Sequence, residues 1–243
     1  MKKNDIVQVR PATVGQVKDI GATLLQAIPP ELSFEIADNV LSRKTELIEH
    51  IRAFFPDLAS LTDPTKQWEN FYGKVFGLSV DFSGVKIPER TEEQKKEFTR
   101  LLIVVGTLKN NQVYDACAKH FKCWRYADNL DSAVPKNERG DDTYAIWVRD
   151  VVEADEIHKN KSANDIEREG LRTETLKERM IHELKYFLET GKHLDIQNVT
   201  LCSGSRGSDG RVPCADWYGG KFEVYWSNAG YRREDLRARE VIS

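Results

Sequence analysis

The sequence predicts an α+β protein in which a mainly helical N-terminal region precedes a C-terminal part of one long helix and several short strands. Amphipathic stripes at helical spacing dominate the first 60 residues, and a strongly capped amphipathic helix is expected at Leu176–Thr190. In residues 199–243, turn-forming residues alternate with aromatic ones and helical periodicity is absent. We therefore divide the chain into a helical region (1–62), a mixed α/β segment that can belong to the main domain (63–142) and a C-terminal domain (143–243).

The composition is that of a globular protein without a strong electrostatic preference. The chain has 243 residues, a net charge of -3, 40% hydrophobic and 31% charged residues. This balance supplies no field that would attract nucleic acid or an anionic membrane. No apolar run approaches the roughly 18–20 residues that a membrane span needs, and the first residues do not resemble a signal peptide. We expect a cytoplasmic protein with no membrane partner.

The four cysteines, Cys117, Cys123, Cys202 and Cys214, are expected to be free thiols, because no secretory signal precedes them. Their spacing lacks the Cys-x-x-Cys pattern of a zinc knuckle, and no pair of histidines lies nearby at ligand spacing. The sequence therefore nominates neither a metal nor another cofactor.

Two helices are expected in the N-terminal region. Residues 14–27 have one apolar face and stop at the following proline pair, and residues 31–55 form a second helix with a break near Ser42. The apolar stripe from 47 to 55 suits internal packing or a subunit interface. If the stripe forms a subunit interface, the protein oligomerises through these helices.

The middle segment mixes strands and helices. Alternating apolar residues in 68–85 predict one or two strands, and Thr91 precedes an acidic first turn that suits a helix. The apolar run 101–105 either closes that helix or forms a buried strand. Residues 112–122 have helical spacing.

The C-terminal domain begins with a strand at 143–152, followed by a charged, solvated connection at 153–170 with at most one helical turn. The best-supported helix is Leu176–Thr190. Thr175 and Glu178 form a capping box at its start, and a glycine follows its end. Short strands are then expected at 199–201, 222–226 and 236–242, with loops between them.

Catalytic motifs are weak throughout. His182 and Glu183 match half of a zinc-protease signature, but Tyr186 stands where its second histidine would be. Ser203 and Ser205 lack the context of a nucleophile elbow, and Cys202 lies in an apolar run where a buried, inert thiol is the more common case. No catalytic residue is nominated, although an enzyme of unrecognised class, with its site in the C-terminal loops, stays as an alternative.

Four arginines near the C-terminus, Arg232, Arg233, Arg237 and Arg239, lie beside Tyr231 and could contact RNA by charge and stacking. Glu234, Asp235 and Glu240 are interleaved with them and cancel most of that charge. Salt-bridged arginines that close the edge of a sheet are favoured over a nucleic-acid-binding module.

The last 100 residues contain the short motifs Gly204-Ser205-Arg206, Trp217-Tyr218, Gly220, Phe222 and Gly230-Tyr231-Arg232, before a closing apolar strand. These motifs resemble those of the C-type-lectin-fold variable proteins of diversity-generating retroelements. The resemblance implies a C-type-lectin-like domain over 143–243, with a variable region at 199–243. It also implies a binding protein, expected to recognise a protein ligand, whose surface residues are rewritten by adenine-directed mutagenesis through a reverse transcriptase.

Codon logic then separates variable from fixed positions. An asparagine codon mutated at its adenines can encode Tyr, Asp, Ser, Gly, Arg or Cys, but not Trp, Lys or Glu. The candidate variable, ligand-binding positions are Gly207, Arg211, Cys214, Asp216, Tyr218, Tyr225, Ser227, Asn228, Tyr231, Arg233 and Asp235.

The remaining residues of the region are expected to be scaffold. Lys221, Glu223 and Glu234 do not fit the codon logic. The residues expected to hold the sheet together are Trp217, Phe222, Val224, Trp226, Leu236 and Val241. Where sugar-binding C-type lectins have calcium-ligating motifs, this chain has Val212-Pro213-Cys214 and Asp216-Trp217-Tyr218, which argues against calcium-dependent carbohydrate binding.

Overall fold

The computed structural model describes positions 20, 22, 23, 26 and 28, residues 33–47 and residues 63–243. The chain divides into two units, Met1–Thr62 and Asp63–Ser243. In the first unit, helix α1 (Phe34–Ser42) is capped by Ser33 and ends where the sequence predicts a break. The expected helix at 14–27 and the apolar stripe at 47–55 lie almost entirely outside the described residues.

The second unit is a mixed α and β structure with a mixed sheet. Its helices are α2 (Pro64–Phe76), α3 (Glu92–Glu97), α4 (Asn110–His120), α5 (Leu130–Ala133), α6 (Ala163–Arg168) and α7 (Leu176–Thr190). Its strands are β1 (Arg100–Val104), β2 (Cys123–Arg125), β3 (Lys136–Asn137), β4 (Tyr144–Val148), β5 (Val199–Leu201), β6 (Ser205–Arg206), β7 (Val212–Tyr218), β8 (Lys221–Ser227) and β9 (Leu236–Arg237).

The main sheet has the strand order β2-β8-β7-β5-β9. The β7–β8 and β5–β7 pairs are antiparallel, whereas β2 joins β8 and β9 joins β5 in parallel. Strands β1 and β4 form a separate antiparallel pair, and Trp147 exchanges backbone hydrogen bonds with Ile242 near the C-terminus. Residues 63–142 therefore contribute strands to the sheets of 143–243.

The main core lies between helices α2, α4 and α7 and the strands. Tyr72, Leu102, Met180 and Phe222 are among its fully buried members. A smaller apolar cluster lies on the other side of the main sheet and contains Ala163, Val199, Leu201, Val212, Cys214 and Leu236. The main sheet is thus covered on one face and partly covered on the other.

The strand prediction for 68–85 is wrong, because its first half is the end of helix α2. Asp63 accepts a hydrogen bond from the amide of Thr65, and Pro64 fits the first helical position. Trp68, Phe71 and Tyr72 are buried on one helical stripe, and Gly77 ends the helix with a φ of 69°. The large aromatic residues follow helical spacing and form the helix, and the alternating apolar residues that predict a strand begin only where the helix ends.

Several other predictions are confirmed. Helix α7 has the predicted bounds, its capping box is formed by Thr175 and Glu178, and Gly191 is left-handed. Helix α4 and strand β4 are present, and residues 101–104 of the run 101–105 belong to strand β1.

The solvated connection at 153–170 is a wrong prediction. Asp155, His158 and Asp165 are buried, and helix α6 packs Ile166 inward. Strand β7 was missed within a predicted loop, because Pro213 and the preceding glycines read as a turn. The last strand is also shorter than predicted, since β9 covers Leu236–Arg237 alone.

Candidate ligand-binding surface

The candidate surface is built on the β7–β8 hairpin, whose two strands are joined by Gly219 and Gly220. Both glycines have positive φ, 59° and 77°, as a tight two-residue hairpin turn requires. The turn fixes the register, which places Cys214 opposite Tyr225, and Tyr218 opposite Lys221. Side chains alternate between the two faces of such a hairpin.

All five candidate positions within the hairpin strands fall on one face. On β7 these are Cys214, Asp216 and Tyr218, and on β8 they are Tyr225 and Ser227. We call this side, together with the loop of residues 228–235 that follows it, the variable face. Lys221 and Glu223 lie on the same side of the hairpin, so the variable face also carries positions that do not fit the codon logic.

The opposite face of the hairpin carries the residues expected to be scaffold. Phe222 and Val224 are buried in the main core, and Trp217 and Trp226 pack against it while partly exposed. Trp217 stacks on His193 at a centroid distance of 3.3 Å and an angle of 6°. Leu236 and Val241 are also buried. These six residues are thus buried or packed against an apolar core.

The variable face contains a shallow depression of about 220 Å³. Six candidate positions line it together with Trp226 and Leu236: Cys214, Tyr225, Ser227, Asn228, Tyr231 and Arg233. The depression is smaller than the roughly 300–1,000 Å³ of usual small-molecule pockets.

Exposure differs strongly among the candidates. Tyr218 is 69% and Tyr231 50% exposed, whereas Cys214 has no exposed surface. Burial raises the pKa of the Cys214 thiol well above its ordinary value, so this thiol is a poor nucleophile. Cys214 is therefore a buried part of the lining of the depression and Tyr231 an exposed part, whereas Tyr218 is exposed outside it.

The loop of residues 228–235 is tied to helix α6. The amide of Asn164 donates to the carbonyl of Ala229 at 3.0 Å, and Arg232 donates two hydrogen bonds of 2.6 Å to the two carboxylate oxygens of Asp165. Arg232 and Ser162, which also donates to Asp165, hold the pKa of that carboxyl well below its usual range. The loop thus has a defined position although its side chains are exposed.

Gly207 and Arg211 lie in the turn before β7, outside the depression. The amide of Gly207 donates to the carbonyl of Arg211 at 2.7 Å, and Gly207 is buried. A Cβ atom on Gly207 would lie 3.0 Å from Asp209 Oδ1. Arg211 pairs with Asp209 and lies over the rings of Tyr126 and Trp226. Gly207 therefore presents no ligand-contacting side chain, and Arg211 forms part of a separate exposed corner.

Asp216 has an unusual environment on the variable face. It is 8% exposed, and its Oδ1 has no hydrogen-bond partner in the described part of the chain. Burial, followed by the negative charge of Glu223 directly opposite, raises the pKa of Asp216 to about 7.

Trp124 is a surface residue that sequence reasoning missed. It lies beside Glu223 in the parallel β2–β8 pair and is 43% exposed. The ammonium group of Lys221 lies 5.4 Å from the Trp124 ring centroid. A three-residue edge strand has too little alternation to be detected, and its neighbour on the sheet is about 100 residues away in sequence.

The interpretation of the C-terminal arginines as salt-bridged is confirmed. The pairs are Arg232–Asp165, Arg233–Asp235, Arg237–Glu156 and Arg239–Asp195. The four cysteines are free thiols, as expected.

One cluster of side chains in the described residues has the spacing of a metal site. Ligand atoms of Asp155, His158 and Glu240 lie within 4.8 Å of one another. However, Nη1 of Arg149 donates to Asp155 at 2.8 Å and to Glu240 at 3.1 Å. The guanidinium already supplies the positive charge that these carboxylates require.

Comparison with known proteins identifies no relative, because no family model, no curated protein and no solved structure matches the chain. Among the described helices, none is both long enough and apolar enough to cross a bilayer.

Proposed function

We propose that this chain is a ligand-binding protein with a C-type-lectin-like C-terminal domain, whose variable face is diversified by a retroelement to recognise a protein ligand. One observation carries the proposal. The β7–β8 hairpin places its five candidate positions on one face and Trp217, Phe222, Val224 and Trp226 on the other. Such a separation lets surface side chains change while the core stays constant.

The chemistry of the variable face also suits recognition of a protein. Tyrosine supplies a large contact area at low cost in conformational entropy, and serine, asparagine and arginine supply adaptable hydrogen bonds. Tyr218, Tyr231 and Arg233 are exposed on this face. Residues of these types often dominate the binding energy of protein interfaces.

The loop of the variable face is anchored by hydrogen bonds that do not involve side chains of candidate positions. The loop of residues 228–235 is fixed to helix α6 through Ala229 and Arg232, and neither residue is a candidate variable position. Rewriting Asn228, Tyr231 or Arg233 therefore leaves both attachments in place.

A genomic comparison tests the proposal directly. We expect a near-identical copy of the DNA encoding residues 199–243, beside a reverse transcriptase gene and differing from this gene at adenines of the copy. The differences should fall in the codons of the candidate positions and spare those of Trp217 and Trp226. A complete genome that lacks such a copy contradicts the proposal.

A library experiment tests the structural half of the proposal. Asn228, Tyr231, Arg233 and Tyr218 are randomised together, and a matched library randomises Phe222, Val224, Trp226 and Leu236. Most members of the first library should stay folded in a protease-resistance screen, and most of the second should not. Equal survival of the two libraries would contradict the assigned roles of the two faces.

The enzyme alternative receives little support from the geometry. The depression is shallow, and the only sulfur in its lining is the Cys214 thiol, whose pKa is raised.

A further inference from the structure

The carboxyl group of Asp216 is largely buried, and one of its oxygens lacks a hydrogen-bond partner. Oδ1 accepts no hydrogen bond from the described residues, and the side chain is 8% exposed. Burial of an unsatisfied polar atom is unfavourable. Because Asp216 lies on the variable face, we infer that a ligand supplies the missing hydrogen-bond donor.

The neighbouring carboxylate shows how this face holds a cation. Lys221 Nζ lies 2.7 Å from Glu223 Oε1 and 5.4 Å from the Trp124 ring centroid. A carboxylate and an aromatic ring thus hold one ammonium group together. Asp216 lies directly opposite Glu223, and Tyr218 follows it at the next position on the same face. Asp216 is thus a second carboxylate on this face, but no described residue donates a hydrogen bond to its Oδ1.

The nearby arginines are committed to other acids. Arg233 pairs with Asp235, and Arg179 donates to Asp195 and Glu183. The charges of Arg179 and Arg233 lower the pKa of Asp216 against burial and Glu223, but neither residue donates a hydrogen bond to its Oδ1. The missing partner of this oxygen is therefore a hydrogen-bond donor, which a further cationic side chain can supply.

Asp216 also lies at the boundary of the covered part of the face. Along β7, the preceding residue on this face, Cys214, is fully buried, and the following one, Tyr218, is 69% exposed. Its side chain therefore lies between a buried and an exposed position of the variable face.

We propose that the protein ligand of the variable face presents a lysine or arginine side chain to Asp216. The inference rests on the proposed binding function and adds the chemistry of the ligand. The complementary surface of the partner carries an exposed basic residue, and the groups around that residue pack on Tyr218 and Tyr225.

Binding of such a cation depends on pH, because it needs the ionised carboxyl group. The charged or titratable groups around Asp216 are Glu223 on β8, Arg179 on α7, Asp195 before β5, Arg233 in the loop, and its neighbours Cys214 and Tyr225. Burial and Glu223 raise the pKa of Asp216 to about 7. Below that pH the group is neutral and attracts a cation weakly, so affinity should rise as pH increases through 7 and then level off.

The test titrates the full chain with Nα-acetyl-arginine methylamide and Nα-acetyl-lysine methylamide, followed by NMR. The citrulline and norleucine counterparts are the neutral controls, at matched ionic strength. We expect saturable shifts at the Asp216 carboxyl carbon and the amides of Tyr218 and Tyr225, stronger at pH 8.5 than at pH 5.5. Asp216→Asn should weaken binding at least about tenfold, since a charge-assisted hydrogen bond is lost.

Asp209→Asn provides a matched control, because it makes the same charge change in the turn before β7 and should leave binding unchanged. No saturable shift up to roughly 100 mM probe, the range in which one charge-assisted contact is measurable, overturns the inference. Equal binding of the citrulline probe or of Asp216→Asn does so as well.

The two proposals fail separately. If cations bind at Asp216 but the genome contains no diversified copy, the site for a basic ligand is supported and the retroelement proposal is contradicted. A diversified copy without cation binding leaves the retroelement proposal standing and removes the basic ligand.

Discussion

Arg239 donates a hydrogen bond of 2.6 Å from Nη2 to Asp195 Oδ1, and both side chains are at most 1% exposed. Arg239 also donates to the carbonyls of Val151 and Val152, and Asp195 accepts a hydrogen bond from Arg179. Burial alone would raise the pKa of Asp195, but Arg239 and Arg179 lower it. The pair joins the last residues of the chain to the segment before β5.

Loss of this buried pair should be costly. We expect Arg239→Ala to lower the free energy of unfolding by about 3–5 kcal/mol, because it removes one of the two arginines that pair with the buried Asp195 and leaves the carbonyls of Val151 and Val152 without their donor. Arg233→Ala removes an exposed pair and should cost at most about 1 kcal/mol. Urea denaturation of the two variants measures the difference, and equal losses would show that the Arg239 pair is not structural.

The two faces of the hairpin should respond differently to truncation. Phe222→Ala opens a cavity in the main core and should cost about 3–5 kcal/mol. Tyr218→Ala, at a residue that is 69% exposed, should change stability by no more than about 0.5 kcal/mol. Thermal unfolding followed by circular dichroism provides the readout. A large loss from Tyr218→Ala would place that residue in the scaffold.

The raised pKa of Asp216 has a consequence for stability. Between the ordinary value of 3.8 and about 7, the folded protein holds a proton that the unfolded chain has released. The contribution of Asp216 to the free energy of unfolding therefore falls as pH rises through this window. Asp216→Asn should remove that decline and stabilise the protein at pH 8, by on the order of 2 kcal/mol, with little effect at pH 4.

Glu174 titrates in the same window, because burial raises its pKa to about 7 as well. It is present in both proteins, so the difference between wild type and Asp216→Asn isolates Asp216. Denaturation curves at several pH values measure it. A difference that does not change with pH would contradict the prediction.

Gly204 and Gly207 offer a matched test of backbone crowding. A Cβ on Gly204 would lie 2.6 Å from the carbonyl oxygen of Thr173, a clash that requires the backbone to move. On Gly207 the nearest atom would be a carboxylate oxygen of Asp209 at 3.0 Å, at the end of a side chain. Gly204→Ala should cost about 1–3 kcal/mol and Gly207→Ala distinctly less. The reverse order would exclude Gly207 as a diversified position.

The accuracy of the sequence predictions depends on the range of the interactions involved. Helix α7 was predicted to the residue because its capping box and glycine are adjacent to it in sequence. Strand β7 was missed because Pro213 and the preceding glycines suggest a turn, whereas its pairing with β5 and β8 makes it a central strand. Helix α2 was mistaken for a strand because a helical stripe and an alternating run overlap in 68–85.

The sequence by itself determined where local segments such as helix α7 form, because helix caps are properties of neighbouring positions. Which residues vary stays a prediction of the codon logic. Only the tertiary structure decided that Cys214, Asp216 and Tyr225 share one face, that Trp124 lies beside Glu223, and that Arg239 meets Asp195. These contacts depend on sheet register and on pairing between distant segments, since a shift of one residue would move every side chain of a strand to the other face.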